Sequence, residues 1–383
     1  MRHTVALTSH PPPRPRTSAC TLRTSLCAPT ALTHPRYTDT VVIGAGKTGA
    51  DAVLLLLRRG VPATRITWIV SQDCWYFNRD NIFGCVDTVL CSGTQMMDAL
   101  LAADDADAFF LALERCGLVG RIDPHGAVPC HFRGATFDTD ELQMLREMHT
   151  TSRVVRLGRV VAVDATGLTL DRGRIPMPSL TDTLVLDASA NLIDNYEHVP
   201  KPFEGERIQL APCYLFNIAL SGAIFGWLEA NVRAAHGLSA DERKNNSVWT
   251  TMPPAGGMPF DTTVGFMRVV YAFVKTDNAL GAVGARPWLM QARLYHLSRK
   301  HVPPYKLMWT GLGPAQLLAK RARFVSKFEA GGFVGAELLE HWKPLLKAEK
   351  AAAAKKAAEA AEARRTRIAP LMRCMAQCIP KVA

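Results

Sequence analysis

A chain of 383 residues with 48% hydrophobic and 21% charged side chains is long enough for two packed domains and too apolar to be disordered throughout. Its formal charge of +11 is uneven: residues 1–38 carry five arginines and no acid, residues 343–383 contribute +7, and the stretch between is left at −1. A near-neutral body with basic ends argues against a nucleic-acid groove, which sets its cations on a folded face.

Ten cysteines are scattered without a CxxC pair and without a secretory apolar region, which implies reduced thiols in a protein that is not secreted. Cys374 and Cys378, four apart, and His125 and His131, six apart, fall short of zinc-ligand spacing. No HxxxH or HExxH pair occurs, so no metal is expected. The uncharged run from Ile208 to Leu228 has the length of a membrane span. Gln209, Pro212, Asn217, Ser221, Gly222 and Gly226 dilute it, and Arg207 and Glu229 flank it without a one-sided basic anchor, so a buried core helix is expected instead.

In chain order, residues 1–38 are rich in Pro, Thr, Ser and Arg and lack Asp, Glu and Lys. They read as disordered, either resembling a transit peptide or representing a degenerate amino terminus. The expected location is accordingly an organelle (mitochondrion or chloroplast) or the cytoplasm. A strand is predicted at Asp39 to Ile43, then a glycine-rich turn, then an apolar helix through Leu57 with Val53, Leu54, Leu56 and Leu57 available for sheet packing. Arg58, Arg59, Gly60 and Pro62 mark the helix end: cations suit a helix carboxyl terminus, glycine takes the left-handed cap, and proline forbids continuation. A second strand follows at Arg65 to Val70, which completes a strand–helix–strand crossover.

Residues 71–93 are expected to be irregular, with Trp75, Tyr76 and Phe77 either lining a ligand pocket beside the second strand or packed in the core. Residues 94–116 read as helical, and Asp138 is placed to cap a helix from Glu141 to His149, with Glu141 at the reciprocal capping position. The period then changes: Val154 to Asp164 alternates, Ala165-Thr166-Gly167 reads as a turn, and Leu168 to Leu170 and Thr183 to Asp187 read as strands. This predicts a small β-meander returning into a parallel sheet. Helices are expected at 213–235, 240–250, 261–275, 285–299 and 314–329, punctuated by Pro and Gly. From Leu345 to Arg367 an Ala/Lys/Glu helix without an apolar stripe should be solvated.

The turn Gly44-Ala45-Gly46-Lys47-Thr48-Gly49 is a GxGxxG sequence that follows an apolar strand and opens a helix, the context that gives the pattern meaning. Gly44 permits the tight turn, Gly46 lets the backbone approach phosphates, and Gly49 allows the helix to pack closely on the strand. Amides at the helix start, aided by the macrodipole, would face a pyrophosphate. Lys47-Thr48 mimics a P-loop, but that motif needs a glycine where this chain has Val41. The predicted fold is therefore a Rossmann-type, doubly wound α/β sheet. It occupies residues 39–200 with inserted helices and a small β-meander, followed by a mostly helical region over 201–344 and a basic tail over 345–383.

Cofactor choice is read at the end of the second strand, where an acid takes a ribose hydroxyl and a cation accepts a 2′-phosphate. Gln72 and Arg79 favour NADP, and Asp73 leaves NAD open. Ala188 and Ser189, after Asp187, lie where ligands bind beyond the carboxyl ends of strands, or else form a simple turn. Hydride transfer needs positioned reactants and no fixed triad, so no catalytic residue is named.

The stretch Val41-Val42-Ile43-Gly44-Ala45-Gly46-Lys47-Thr48-Gly49, with Ile66-Thr67-Trp68-Ile69-Val70 after the helix, resembles the NAD(P)-binding half of flavoproteins with two dinucleotide-binding domains, the flavin-containing monooxygenase and pyridine-nucleotide oxidoreductase group. The segment Leu184-Val185-Leu186-Asp187-Ala188-Ser189 is similar to the strand after which such proteins meet a cofactor again. The resemblance covers roughly residues 39–235. It implies that NADPH reduces FAD, which then reduces oxygen or a small-molecule acceptor. Those relatives carry an FAD-binding glycine motif upstream, where this chain has 38 residues without one, and Gly311-Leu312-Gly313 is followed by Pro314 without a third glycine. Either the chain is truncated relative to those proteins, or it binds one dinucleotide only, or the flavin site has been lost; FAD use is expected where the missing flavin elements exist elsewhere or in a partner. The alternatives are a non-catalytic or degenerate dinucleotide-binding module and a flavin-free NAD(P)-dependent dehydrogenase.

Overall fold

A computed structural model of the chain describes residues 23–24, 37–83, 95–151, 153–164, 166–177, 182–189, 201–214, 217–249, 262–291 and 314–330, with isolated positions between 347 and 362. It is a mixed α/β protein with a parallel sheet, divided into one compact unit built on residues up to Asp194 and a second built mainly on residues from Asn195.

The first unit begins with β1 (Arg23–Thr24) and β2 (Asp39–Ile43), followed by the glycine turn and α1 (Lys47–Arg58). The helix stops as its sequence dictates. Gly60 adopts φ +78°, its amide bonds the Leu57 carbonyl at 2.9 Å, and the Val61 amide reaches back to Leu56 at 3.1 Å, a Schellman cap. A 3-10 turn, Ala63–Arg65, leads into β3 (Ile66–Ile69), so Arg65 turns the chain and does not start the strand.

The predicted irregular stretch after β3 contains order: β4 (Cys74–Asn78) and a short helix α2 (Arg79–Phe83). Trp75 and Tyr76 are fully buried in core packing. They lack alternation because β4 lies between elements on both faces, and period-2 patterning appears only where one face is wet. Helix α3, described over 95–102, and α4 (Ala106–Arg115) replace the single helix expected over 94–116, with Asp105 accepting the Ala108 amide at 2.7 Å as the N-cap of α4.

Next come β5 (Val119–Gly120), β6 (His131–Phe137) and α5 (Thr139–His149). The capping box forms as predicted: Asp138 accepts the Glu141 amide at 2.7 Å and Glu141 accepts the Asp138 amide at 3.2 Å. The remaining strands are β7 (Val154–Val155), β8 (Val160–Asp164), β9 (Gly167–Leu170), β10 (Gly173–Pro176) and β11 (Thr183–Asp187).

The main sheet has the order β1-β11-β2-β3-β7, with every pairing parallel. Two residues of the amino-terminal segment expected to be disordered, Arg23 and Thr24, thus pair with Leu186 and Asp187 at the sheet edge. Alternation along β2 sorts its side chains between two layers. Val42 faces α1 and α5, packing with Val53, Leu54, Leu56, Leu142 and Leu145, whereas Val41 and Ile43 face Leu168 and Leu170. Each such side chain, fully buried, contributes about 1.5–3 kcal/mol. The expected doubly wound arrangement has helices on both faces; among the described residues, helices cover one face and the antiparallel β8–β9–β10 meander covers the other. A separate three-stranded sheet, β5-β4-β6, joins β4 to β6 in parallel and to β5 antiparallel.

The second unit opens with the hairpin β12 (Phe203–Glu204) and β13 (Arg207–Ile208), and the longer elements among its described residues are helices. Helix α6 (Ile218–Asn231) starts later than predicted because Asn217 caps it through the Leu220 amide at 2.9 Å. Helix α7 (Ala240–Asn245) carries a Ser239/Glu242 capping box. Helix α8 (Thr263–Ala282) runs past the expected end at 275 because the polar residues there are buried and paired: Asp277 accepts from Tyr214 Oη at 2.9 Å and from Arg286 at 3.2 Å, and it also pairs with Arg321. Helices α9 (Arg286–Gln291) and α10 (Pro314–Glu329) follow. The rest of the predicted 285–299 helix lies outside the described residues, as does most of the 345–367 helix, of which five described positions are helical and exposed. No helix among the described residues is long and apolar enough to cross a membrane.

Candidate functional site

The site is the junction of β2, α1 and the end of β11, and the three glycines serve it in different ways. Gly44 holds φ +116°, and a Cβ there would lie 2.7 Å from the Ala188 carbonyl oxygen, so only glycine fits both the backbone and the neighbour. A Cβ on Gly49 would lie 2.1 Å from the Gly44 carbonyl oxygen, which makes that position the contact through which helix and turn touch. Gly46, the N-cap of α1, is open: the nearest atom to a Cβ there is Arg133 Nη1 at 3.9 Å.

The turn's carbonyls are anchored inward. Trp68 Nε1, on β3, donates to the Gly44 carbonyl at 2.9 Å, and the Tyr76 hydroxyl, on β4, donates to the Ala45 carbonyl at 2.6 Å, both from buried side chains. Burial pushes the Tyr76 hydroxyl well above its ordinary range, with the charges of Cys74 and Asp73 adding to the rise, so it remains a donor. With these carbonyls held inside, the start of α1 presents amides without a side-chain cap and with no acid in the first turn. That is the polarity an anion requires. Tyr76→Phe keeps the ring and removes the donor, so it should lower stability by about 1–3 kcal/mol. A chemical-denaturation midpoint equal to that of the parent would mean that the hydroxyl holds nothing.

Ala45 is buried, Thr48 is exposed, and Lys47 pairs with Asp51 at 2.5 Å while its ammonium lies 4.2 Å from the centre of the Phe137 ring. Ala188 abuts the turn, its amide bonding the Ile43 carbonyl at 2.9 Å. The amide and hydroxyl of Ser189 both donate to Asp187 Oδ1, at 2.9 and 2.5 Å, which closes a local turn at the strand end.

At the end of β3, Gln72 is partly buried and its carbonyl accepts from Cys74 Sγ at 3.7 Å. Asp73 is gripped by both guanidinium arms of Arg156, at 2.8 and 3.0 Å. Arg156 also lies 3.1 Å from His149 Nδ1. A guanidinium has only hydrogens to offer, so His149 accepts through Nδ1 and its Nε2–H points to Asp123, 3.3 Å away. Arg79 bonds Glu141 at 3.1 Å, and Arg58 takes the other oxygen of that carboxylate at 3.1 Å, so Arg79 serves the amino-terminal end of α5. Sequence reasoning missed Arg156, Arg133 and the indole of Trp68 as parts of the site, and it offered Tyr76 as pocket lining or core without the hydroxyl's bond to the turn. Their contacts to Asp73 and the turn span 83, 87, 24 and 31 residues, beyond any local spacing rule. Among the described residues no group of three or more His, Cys, Asp or Glu is arranged to hold a metal ion.

No family model matches the chain, and no solved structure matches it. It is similar to uncharacterized proteins of Mycobacterium bovis and Mycobacterium tuberculosis, each 34% identical over 276 residues, which is 71% of this chain and 47% of the relative. The chain therefore spans about half the length of the curated relatives it matches.

Proposed function

We propose that the first unit is a Rossmann-type domain that binds NADP(H) or NAD(H), with the pyrophosphate seated on the amides at the start of α1. The observation that carries this reading is the division of labour in the turn: Gly44 and Gly49 are required by contacts, Gly46 is open, and two buried donors hold the carbonyls of Gly44 and Ala45 away from the open side. A turn kept only for packing would equally admit a capping side chain such as serine or aspartate at position 46, where nothing lies closer than 3.9 Å to a Cβ. Pyrophosphate fits such a turn because its oxygens accept from backbone amides that the helix leaves unpaired. At the end of β3, the Arg156 guanidinium engages the one carboxylate that would otherwise take a ribose hydroxyl, which favours NADP over NAD.

The chain's role, on this reading, is the nicotinamide side of an NAD(P)H-dependent oxidoreductase of the flavoprotein monooxygenase kind. FAD, where present, would pass electrons from NADPH to oxygen or a small-molecule acceptor. No second strand–glycine turn–helix unit occurs among the described residues, so no residue here is assigned to flavin. That same observation keeps a flavin-free dehydrogenase and a non-catalytic nucleotide-binding module as competing readings. Two measurements on the purified chain separate them: its visible absorbance, which reports flavin directly, and the quenching of its tryptophan fluorescence by NADPH. Quenching with a flavin spectrum and NADPH oxidation supports the oxidoreductase. Quenching without turnover supports the binding module, turnover of an added carbonyl compound without flavin supports the dehydrogenase, and absence of NADPH or NADH binding overturns the proposal.

A further inference from the structure

Arg133 lies on β6, in a different sheet from the strand that feeds the glycine turn, yet its guanidinium reaches to within 3.9 Å of where a side chain on Gly46 would begin. A local irregularity in β6 accompanies this reach. Between the pairs Trp75–Phe132 and Phe77–Thr136 the register slips: β4 advances by two residues while β6 advances by four, and Gly134 within the slipped segment holds φ +68°. Bulges of this kind re-aim a side chain out of the regular pleat. The positive charge of Arg133 is also felt at the Tyr76 hydroxyl that holds the Ala45 carbonyl, where it offsets part of the rise imposed by burial.

We propose that Arg133 is a phosphate-binding residue of the glycine turn, donating from β6 to a pyrophosphate whose other oxygens accept the amides at the start of α1. This rests on reading the turn as a dinucleotide site. The chemistry favours it because helix amides supply only about half a unit of positive charge, whereas a pyrophosphate diester brings two negative ones. A guanidinium presents a planar fork that meets two phosphate oxygens at once, and mounting it on a strand fixes its direction before the ligand arrives.

The test compares the parent with Arg133→Gln and Arg133→Lys, titrating NADPH and inorganic pyrophosphate, with adenosine as a ligand that lacks phosphate. Arg133→Gln should weaken NADPH and pyrophosphate binding by about ten- to a hundredfold and flatten the salt dependence of both. Arg133→Lys should recover part of the affinity, and adenosine should bind all three proteins alike. Melting curves establish that each variant is folded. Should Arg133→Gln not fold, Arg133→Lys alone still decides the matter, because loss of the planar fork must weaken pyrophosphate but not adenosine. If the parent binds NADPH and the folded variants bind it equally well, Arg133 is no ligand and the dinucleotide reading stands. If the parent binds neither phosphate compound, both fall together.

Discussion

Gly46→Val is expected to weaken NADPH binding by roughly a hundredfold or more, about 2.7 kcal/mol, while leaving the chain folded. Position 46 has φ −71° and ψ 175°, an extended backbone that valine adopts readily, and nothing lies closer to its would-be Cβ than 3.9 Å. The substitution therefore meets little resistance within the protein, and its stability effect should be about 1 kcal/mol, that of replacing a glycine N-cap by a residue that caps poorly. Its branched side chain instead fills the space through which a phosphate would approach the amides. The Tyr76 and Trp68 hydrogen bonds keep the turn from relaxing to make room, because rotation of the Gly44 or Ala45 peptide would strand a buried donor. Fluorescence titration with NADPH, alongside thermal melts, checks both halves of the expectation.

Gly49→Val should do the reverse, destabilising the first unit by about 3 kcal/mol. A Cβ at position 49 would sit 2.1 Å from the Gly44 carbonyl oxygen and 3.6 Å from the Ala188 Cβ, and the closer of these is main chain that cannot swing aside. Either α1 lifts from the sheet, opening the cluster of Val53, Leu54 and Leu56 on Val42, or the turn abandons the Trp68 bond. Both routes lose burial or leave a polar group unpaired. Urea denaturation measures the loss. A Gly49 variant as stable as the Gly46 variant would show that helix and turn are not in the contact described.

The glycine turn was legible in the sequence because each of its determinants is local: an apolar strand, a fixed glycine spacing, and a helix ended by Gly60 and Pro62. The same holds for the Asp138 capping box and for β11, whose centre Leu184, Val185 and Leu186 is a continuous apolar run. What escaped was non-local. Strand β4 carries Trp75 and Tyr76 in succession, and a segment buried on both faces shows no period of two. Helix α8 continues through Lys275, Thr276 and Asp277 only because Tyr214, Arg286 and Arg321 converge on Asp277 from elsewhere in the chain. The covering of the second sheet face by the β8–β9–β10 meander is likewise decided by how Leu168 and Leu170 meet Val41 and Ile43, which alternation alone does not specify.

Amide hydrogen exchange of the whole chain with and without NADPH tests the proposed dinucleotide site most directly, since it reports both whether the nucleotide binds and where. Bound pyrophosphate should slow exchange at the start of α1, in peptides spanning Gly44 to Ala50, as phosphate oxygens occupy amides that the helix leaves open. NADPH binding with protection confined to other segments, or no change in exchange anywhere at saturating nucleotide, would contradict the account.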